Sequence, residues 1–488
     1  MTSVTAQLNT PRQLIDGIWH LPTHVLDHHL VDPATGAPIQ SQVASSLTDI
    51  DLAVEAAWRA HRADPLGIGT PEQRIIALET AADHLDTIAP KIAEQDSLNS
   101  GIPVTITRLF AGALASTFRG AAARVIDVAP TDLSSAGRRV TLSRLPLGPA
   151  AILAPWNAPT AVAAKKTAYA WAAGCPVIVK PSPWSPNGTT LLVEILEQAA
   201  ATAGLSHVAI QLVLGGIDAG QALAEAPHVR VLSFTGSRVG GRAVAAAAAA
   251  NVPSIQLELG SNNPALVLSD ADLELTATQL AAGMTKLNGA WCESPGTVFV
   301  PPSLREELIE LLSVRLSELR VGSPLDPDAE FGPQSNPAQY ATLQTRLGQF
   351  MAAGTRTVTV GAMPPQGLWI PPTLVIDPPL DLAAAETFGP VLVLRTCLDT
   401  STALVEAASL ETGLAGYVFT RSIDEGHRIG RLLPVGEVKI NGTSLLDMSE
   451  HSTQEFWYGS GVGRHGDAEL LRLFTGARIV GEDVDSPL

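Results

Sequence analysis

Residues 150–181 read A-A-I-L-A-P-W-N-A-P-T-A-V-A-A-K-K-T-A-Y-A-W-A-A-G-C-P-V-I-V-K-P. A short apolar run, a long Ala-rich segment and a second apolar run follow one another, a strand–helix–strand pattern. Gly174 stands where the helix should stop, because glycine adopts the left-handed backbone of a helix C-terminus without steric cost. The alternation continues through A-I-Q-L-V-L-G (209–215), V-R-V-L-S-F-T-G (229–236) and S-I-Q-L-E-L-G (254–260), with the Ala-rich G-R-A-V-A-A-A-A-A-A-N (241–251) between the last two. Strands separated by helices pair in parallel through right-handed crossovers, so the expected fold is α/β with a doubly wound parallel sheet. Such sheets bind ligands beyond the carboxyl ends of their strands. Asn157, Lys180, Gly215, Gly216, Thr235, Gly236, Ser237 and Glu258 all fall there.

Past Glu258 the pattern restarts. A helix is expected over Leu273–Leu287, then a loop N-G-A-W-C-E-S-P-G (288–296), the strand V-F-V-P (298–301), a helix from Ser303 to about Leu319, and the strands G-P-V-L-V-L-R (389–395), A-G-Y-V-F-T (415–420) and G-E-V-K-I-N (436–441). These form a second α/β domain. Polar and apolar residues alternate in R-R-V-T-L-S-R-L-P-L (138–147), which reads as a projecting strand able to pair with another subunit.

Composition excludes several classes. A chain of 488 residues, 46% of them hydrophobic, builds two or three cores. Its net charge of -17, from 31 basic and 48 acidic residues, argues against a nucleic-acid partner, since neutralising phosphates needs clustered Lys and Arg. Three distant cysteines, Cys175, Cys292 and Cys397, with no metal-ligand spacing, indicate neither a disulfide framework nor a metal site. No apolar run reaches the roughly 18 residues of a membrane span, and the first residues carry no export signal. The expectation is a reducing, cytoplasmic setting.

Several residues carry chemistry, each with a plainer alternative. Cys292 is either a small buried hydrophobe or a thiol whose thiolate attacks carbonyls. Asn157 either caps the following helix or aims its amide at a carbonyl oxygen, forming an oxyanion hole with the Cys292 backbone N–H. Glu258, in an otherwise apolar strand, must be paired or have a raised pKa, the latter suiting a general base. Lys180 suits a cofactor ribose or phosphate, against a snorkelling surface lysine. A literal G-x-G-x-x-G at 461–466 reads as a loop, because too little chain follows it for a phosphate-binding helix.

Together these stretches resemble the aldehyde dehydrogenase superfamily over nearly the whole chain. The resemblance runs in order through L-I-D-G-I-W-H (14–20), V-D-P-A-T-G-A-P-I (31–39), P-L-G-P-A-A-I-L-A-P-W-N-A-P (146–159), V-I-V-K-P-S (177–182) and L-S-F-T-G-S (232–237). It continues with L-E-L-G-S (257–261), G-A-W-C-E-S (289–294), L-R-V-G-S-P-L-D-P (319–327), E-T-F-G-P-V (386–391) and S-G-V-G-R-H-G (460–466). It implies NAD or NADP as cofactor, a non-CoA-acylating enzyme and a homodimer or homotetramer. Cys292 would attack the aldehyde, Asn157 would hold the oxyanion and Glu258 would activate the water that releases the acid. Lys166 and Glu469 would lie near the base or on a proton path. Trp156, Lys180, Ser182, Gly215, Gly216, Phe234, Thr235, Gly236, Ser237, Gly240 and Leu259 would border the cofactor, and Glu386 and Phe388 would hold its nicotinamide ribose and ring. The implied division is 1–128 with 147–259 as the dinucleotide-binding domain, 260–463 as the catalytic domain, and 129–146 with 476–488 as a small β oligomerisation element.

The chain departs from the family in places. Pro183 stands where an acid often contacts the adenosine ribose, and without that charge a 2′-phosphate is tolerated. G-A-W-C replaces the usual G-Q-x-C, L-G-S-N (259–262) replaces L-G-G-K, and T-Q-E-F-W-Y (453–458) stands near the substrate tunnel. Lys165, Lys286, Trp291 and Glu293 also fall near tunnel positions. Either the two lysines read a polar or acidic aldehyde, or they face solvent or pair with Glu293. Other readings of the chain are a cofactor-independent cysteine esterase or acyl hydrolase, and an inactive relative serving as a binding or structural partner.

Overall fold

The computed structural model describes residues 7–135, 138–445, 448–449 and 452–483. Two large sheets organise the chain. The first has five parallel strands in the spatial order Ser254–Leu259, Val231–Gly236, Ala150–Leu153, Val177–Lys180 and Ile210–Leu212. Gly461–Val462 joins one edge in antiparallel sense, and Gln13–Ile15 followed by Ile18–His20 closes the other.

Side-chain alternation explains why this sheet is covered on both faces. Ala150, Ile152, Val177 and Val179 pack into one layer with the helices Pro71–Ser100, Leu114–Arg124, Pro159–Ala173 and Asn187–Thr202. Ala151, Leu153 and Ile178 point the opposite way, toward Leu47–Ala63, Ile217–Glu225 and Arg238–Ala248. Each fully buried Ile or Val contributes about 1.5–3 kcal/mol. Gly174 ends the helix Pro159–Ala173 at φ 93°, as its position suggested.

The second sheet runs Arg356–Thr359, Thr373–Ile376, Val391–Thr396, Pro295–Val300, Asn263–Val267, Ala415–Phe419 and Glu437–Ile440, parallel except for the first strand. The helices expected beside it form at Leu273–Thr285 and Pro302–Ser317. The first is shorter than expected because Leu287 and Asn288 take left-handed backbone, which ends the helix before the cysteine loop.

The strand expected within 138–147 forms at Val140–Pro146, and this chain occupies one of its edges and part of the other. Thr475–Gly481 pairs along its whole length, and Thr131–Asp132 covers Thr141 and Leu142. Among the described residues no strand pairs with residues 143–146 on that second edge. Residues 136–137 and 484–488 of the expected oligomerisation element lie outside the described residues.

Candidate active site

In the parallel sheet, Ala150–Leu153 lies between Val231–Gly236 and Val177–Lys180. The chain leaves it toward Val177–Lys180 and Ile210–Leu212 on one side and then returns to Val231–Gly236 on the other, so its carboxyl end is the switch point where a crevice opens. Register aligns Leu153 with Phe234 and with Lys180, and Thr235 with Glu258. Past Leu153 the chain delivers Trp156 and Asn157, and Pro159 then starts the next helix at a position that tolerates its missing N–H.

Three consecutive left-handed residues present the cysteine from the other side. Leu287, Asn288 and Gly289 have φ of 51°, 57° and 83°. The Asn288 amide holds this strained turn by donating to the Gly101 and Pro333 carbonyls, each at 2.9 Å, and its Oδ1 accepts from the Gly332 N–H at 2.8 Å. At Gly289 a Cβ would meet the Pro390 nitrogen at 2.1 Å, so only glycine fits. Farther along, the Asn263 amide donates to the carbonyls of Cys292 and Ser294 at 2.9 and 2.8 Å, and the Tyr417 hydroxyl donates to the Glu293 carbonyl.

These elements bring the expected trio together. Cys292 Sγ lies 3.8 Å from Glu258 Oε1. Asn157 Nδ2 donates to the Ala290 carbonyl at 2.8 Å, which ties the amide to the cysteine loop. Burial, reinforced by the charges of Glu258, Glu293 and Glu386, pushes the Cys292 thiol well above its usual range, so it rests protonated.

Glu258 is paired, not raised. Burial alone would push its carboxyl up, but His465, Lys166 and the Thr235 hydroxyl together bring it down to about 2. His465 Nε2 stands 3.1 Å from Glu258 Oε1, and Thr235 Oγ1 donates to Oε2 at 3.2 Å. Lys166 is 1% exposed, and its Nζ has no hydrogen-bond partner among the described residues. Burial lowers this ammonium to about 8, against the pull of Glu258.

His465 escaped the sequence reading because it sits inside the G-x-G-x-x-G stretch read as a loop. Gly461 and Val462 of that stretch are instead an edge strand paired with Glu258 and Leu257. Glu469 is expected near the base or on a proton path. It lies in the helix Asp467–Phe474 and pairs with Arg464 at 3.4 Å and Arg472 at 2.5 Å.

Most residues expected to border a cofactor stand at or just past these strand ends. Lys180 is buried, donates to the Pro181 carbonyl at 3.1 Å and is lowered to about 8 by burial. Cβ atoms at Gly236 and Gly240 would meet the Phe234 ring at 2.7 and 2.9 Å, so both glycines make room for that ring. Ser237 caps the helix Arg238–Ala248 through the Gly240 N–H, and Gly216, after Gly215, caps Ile217–Glu225. Ser182 and Leu259 are buried beside them. Glu386 Oε1 accepts from the Ser261 N–H at 3.0 Å, and burial raises its carboxyl to about 7. Phe388 meets Trp156 edge-on, with ring centroids 5.7 Å apart.

On the substrate side the sequence reading missed Lys439. Its ammonium, not that of Lys286, pairs with Glu293 at 3.1 Å and with Glu437 at 2.9 Å. Gln454 donates to Glu293 at 3.1 Å. Lys286 donates to the Thr443 carbonyl and lies 4.7 Å from the Trp291 ring centroid, with Lys439 at 5.8 Å from the same ring. Lys165 is half-buried. Among the described residues no cluster of His, Cys, Asp and Glu could hold a metal ion, and no helix is long and apolar enough to cross a membrane.

A sequence model of the aldehyde dehydrogenase family matches residues 22–480. The chain belongs to the aldehyde dehydrogenase family. Among its relatives is 4-(hydroxymethyl)benzenesulfonate dehydrogenase of Comamonas testosteroni, 30% identical over 479 residues that span 96% of this chain and 98% of that protein. Among solved structures, betaine aldehyde dehydrogenase from Staphylococcus aureus in complex with NAD+ superimposes with a TM-score of 0.91 at 25% identity, covering 99% of this aldehyde dehydrogenase and 96% of that chain. An NADP dependent enzyme of E. coli gives 0.90 at 26% identity, covering 98% of each chain. The mixed α/β fold, with its parallel sheet and second sheet, is the fold of these enzymes.

Proposed function

We propose that this enzyme oxidises an aldehyde to the carboxylic acid with NAD or NADP, through a thiohemiacetal and a thioester on Cys292. The observation that carries this reading is the 3.8 Å approach of Cys292 Sγ to Glu258 Oε1, beside an Asn157 amide tied to the same loop. The thiol rests protonated, and the Glu258 carboxylate is the acceptor within reach of its proton. The resulting thiolate adds to the aldehyde carbon, while the second N–H of Asn157 and the Cys292 N–H stabilise the oxygen. After the thiol's proton has passed to solvent, Glu258 removes a proton from water, whose oxygen attacks the thioester carbon as the carbon–sulfur bond breaks and the thiolate leaves.

The crevice fits a dinucleotide. Lys180 offers a buried ammonium, and the Glu386 carboxyl suits a ribose diol. When bound, the nicotinamide supplies the hydride acceptor for the oxidation. The small pocket beside Ser182, Pro183 and Gly215 has no acidic residue in its lining, which supports NADP as well as NAD. On this reading the first sheet is the cofactor domain and the second the catalytic domain. Ile479 and Val480, 67% and 63% exposed on Thr475–Gly481, mark the surface for assembly into a homodimer or homotetramer.

The Lys286 ammonium near Trp291, beside a Lys439 already paired with Glu293 and Glu437, opposes a cationic aldehyde and favours a neutral or anionic one, as the benzenesulfonate in the Comamonas relative's name suggests. Reduced-nicotinamide formation with an aldehyde panel, using NAD and NADP in turn, tests the function. Turnover that vanishes in Cys292→Ala supports it. Ester hydrolysis with no nicotinamide requirement, and no aldehyde oxidation, would replace it with a cysteine hydrolase.

A further inference from the structure

A base that takes a proton from water in every turnover must also lose it. The Glu258 side chain is 8% exposed, whereas its partner His465 is 24% exposed, so the imidazole lies between the buried carboxylate and solvent. Three contacts fix it there. The edge strand Gly461–Val462 pairs with Leu257 and Glu258, the His465 N–H donates to the Gln454 carbonyl at 2.8 Å, and the Phe456 ring meets the imidazole edge-on at 4.8 Å.

We propose that His465 is the positioning residue of the hydrolytic step, holding Glu258 beside Cys292 and accepting the proton that Glu258 takes from water. This rests on the thioester reading above. Water gives one proton to Glu258 while its oxygen bonds to the acyl carbon. The carbon–sulfur bond breaks and returns the Cys292 thiolate with the carboxylic acid. Glu258 passes its proton to His465 Nε2, and the imidazolium releases a proton to solvent.

The charges around the pair give the pH dependence its sign. Glu258 faces Lys166 from the helix Pro159–Ala173, Thr235 from the neighbouring strand and the Cys292 thiol. Beside His465 in sequence, Arg464 is paired with Glu455 and Glu469. While His465 is protonated, the ion pair holds Glu258 ionised but weakly basic, and the imidazole has no site for a further proton. Once His465 is neutral, that attraction is gone and the imidazole can accept. Hydrolysis of the acyl-enzyme therefore draws on the neutral imidazole.

p-Nitrophenyl acetate acylates the thiol without nicotinamide and separates this step from oxidation. A burst of nitrophenolate reports acylation, and the slower steady release reports hydrolysis. Measured between about pH 5.5 and 9, the steady rate of the unmodified enzyme is expected to rise with pH. In His465→Gln the burst persists, the rise disappears and the steady rate at pH 7.5 falls on the order of tenfold. In His465→Ala, added imidazole restores part of the rate. A His465→Gln enzyme with the unmodified pH profile and steady rate would overturn the proposal. A normal His465→Gln effect on ester turnover without any aldehyde oxidation would instead count against the dehydrogenase reading alone.

Discussion

The Asn157 amide donates to the Ala290 carbonyl at 2.8 Å, so the proposed oxyanion donor is anchored to the loop that carries the nucleophile. An amide nitrogen carries two N–H donors, and the anchor uses one. Asn157→Ala removes both the donor and the tie. We expect kcat/KM for aldehyde oxidation to fall by roughly 10²–10³, as loss of one oxyanion donor usually costs. Steady-state kinetics checks this, and an unchanged kcat/KM would reduce Asn157 to a structural tether.

Gly289 ties the same loop to the E-T-F-G-P segment. Its φ of 83° and the 2.1 Å approach of a would-be Cβ to the Pro390 nitrogen leave no room for a side chain. Gly289→Ala is expected to destabilise the protein by about 3 kcal/mol or more. Thermal unfolding would read this as a lowered Tm, and a Tm equal to that of the parent would show that the turn rearranges freely.

Glu386 gives stability a pH dependence. Burial raises its carboxyl from 4.5 to about 7 in the fold. A raised folded-state value means that its contribution is fully present below the unfolded value and is lost as pH rises through the folded one. The cofactor-free enzyme should therefore lose stability between about pH 4.5 and 7, and Glu386→Gln should flatten that loss. Denaturant unfolding at pH 5 and pH 8 compares the two proteins. The same variant should raise the KM for the nicotinamide cofactor.

Much of this site was legible from sequence because short-range patterns specify it. Apolar strands closing on Asn157, Lys180, Thr235 and Glu258 place those groups on one sheet edge by topology alone. What stayed hidden depends on long-range contacts. His465 meets Glu258 only because Gly461–Val462 adds to the sheet, and nothing local distinguishes that stretch from a loop. Lys439 meets Glu293 across 146 residues. The left-handed pair Leu287 and Asn288 looks helical by composition, and only its bonds to Gly101, Gly332 and Pro333 stop the helix. The alternatives offered for Glu258 were both physically sound, and the partner that decided between them lies 207 residues away in sequence, the difference between 465 and 258.

Substrate charge offers another test. With the Lys286 ammonium 4.7 Å from the Trp291 ring centroid, a quaternary ammonium would meet a like charge where it needs an open aromatic face. Betaine aldehyde should have a kcat/KM at least about tenfold below that of a neutral aldehyde of similar size, a difference of about 1.4 kcal/mol. Lys286→Met should narrow the gap. Equal values for the two aldehydes in the parent enzyme would place this lysine outside the substrate's reach.

A single-turnover experiment on Glu258→Gln tests the thioester most directly. Mixed with aldehyde and cofactor, this variant keeps Cys292 but lacks the base for both thiol deprotonation and hydrolysis, so acylation is slowed and hydrolysis is lost. It should form at most one reduced nicotinamide per subunit and then stall, with the acyl group found on the Cys292 peptide by mass spectrometry. Continued turnover at the parent rate, or an acyl group on any other residue, would contradict the mechanism.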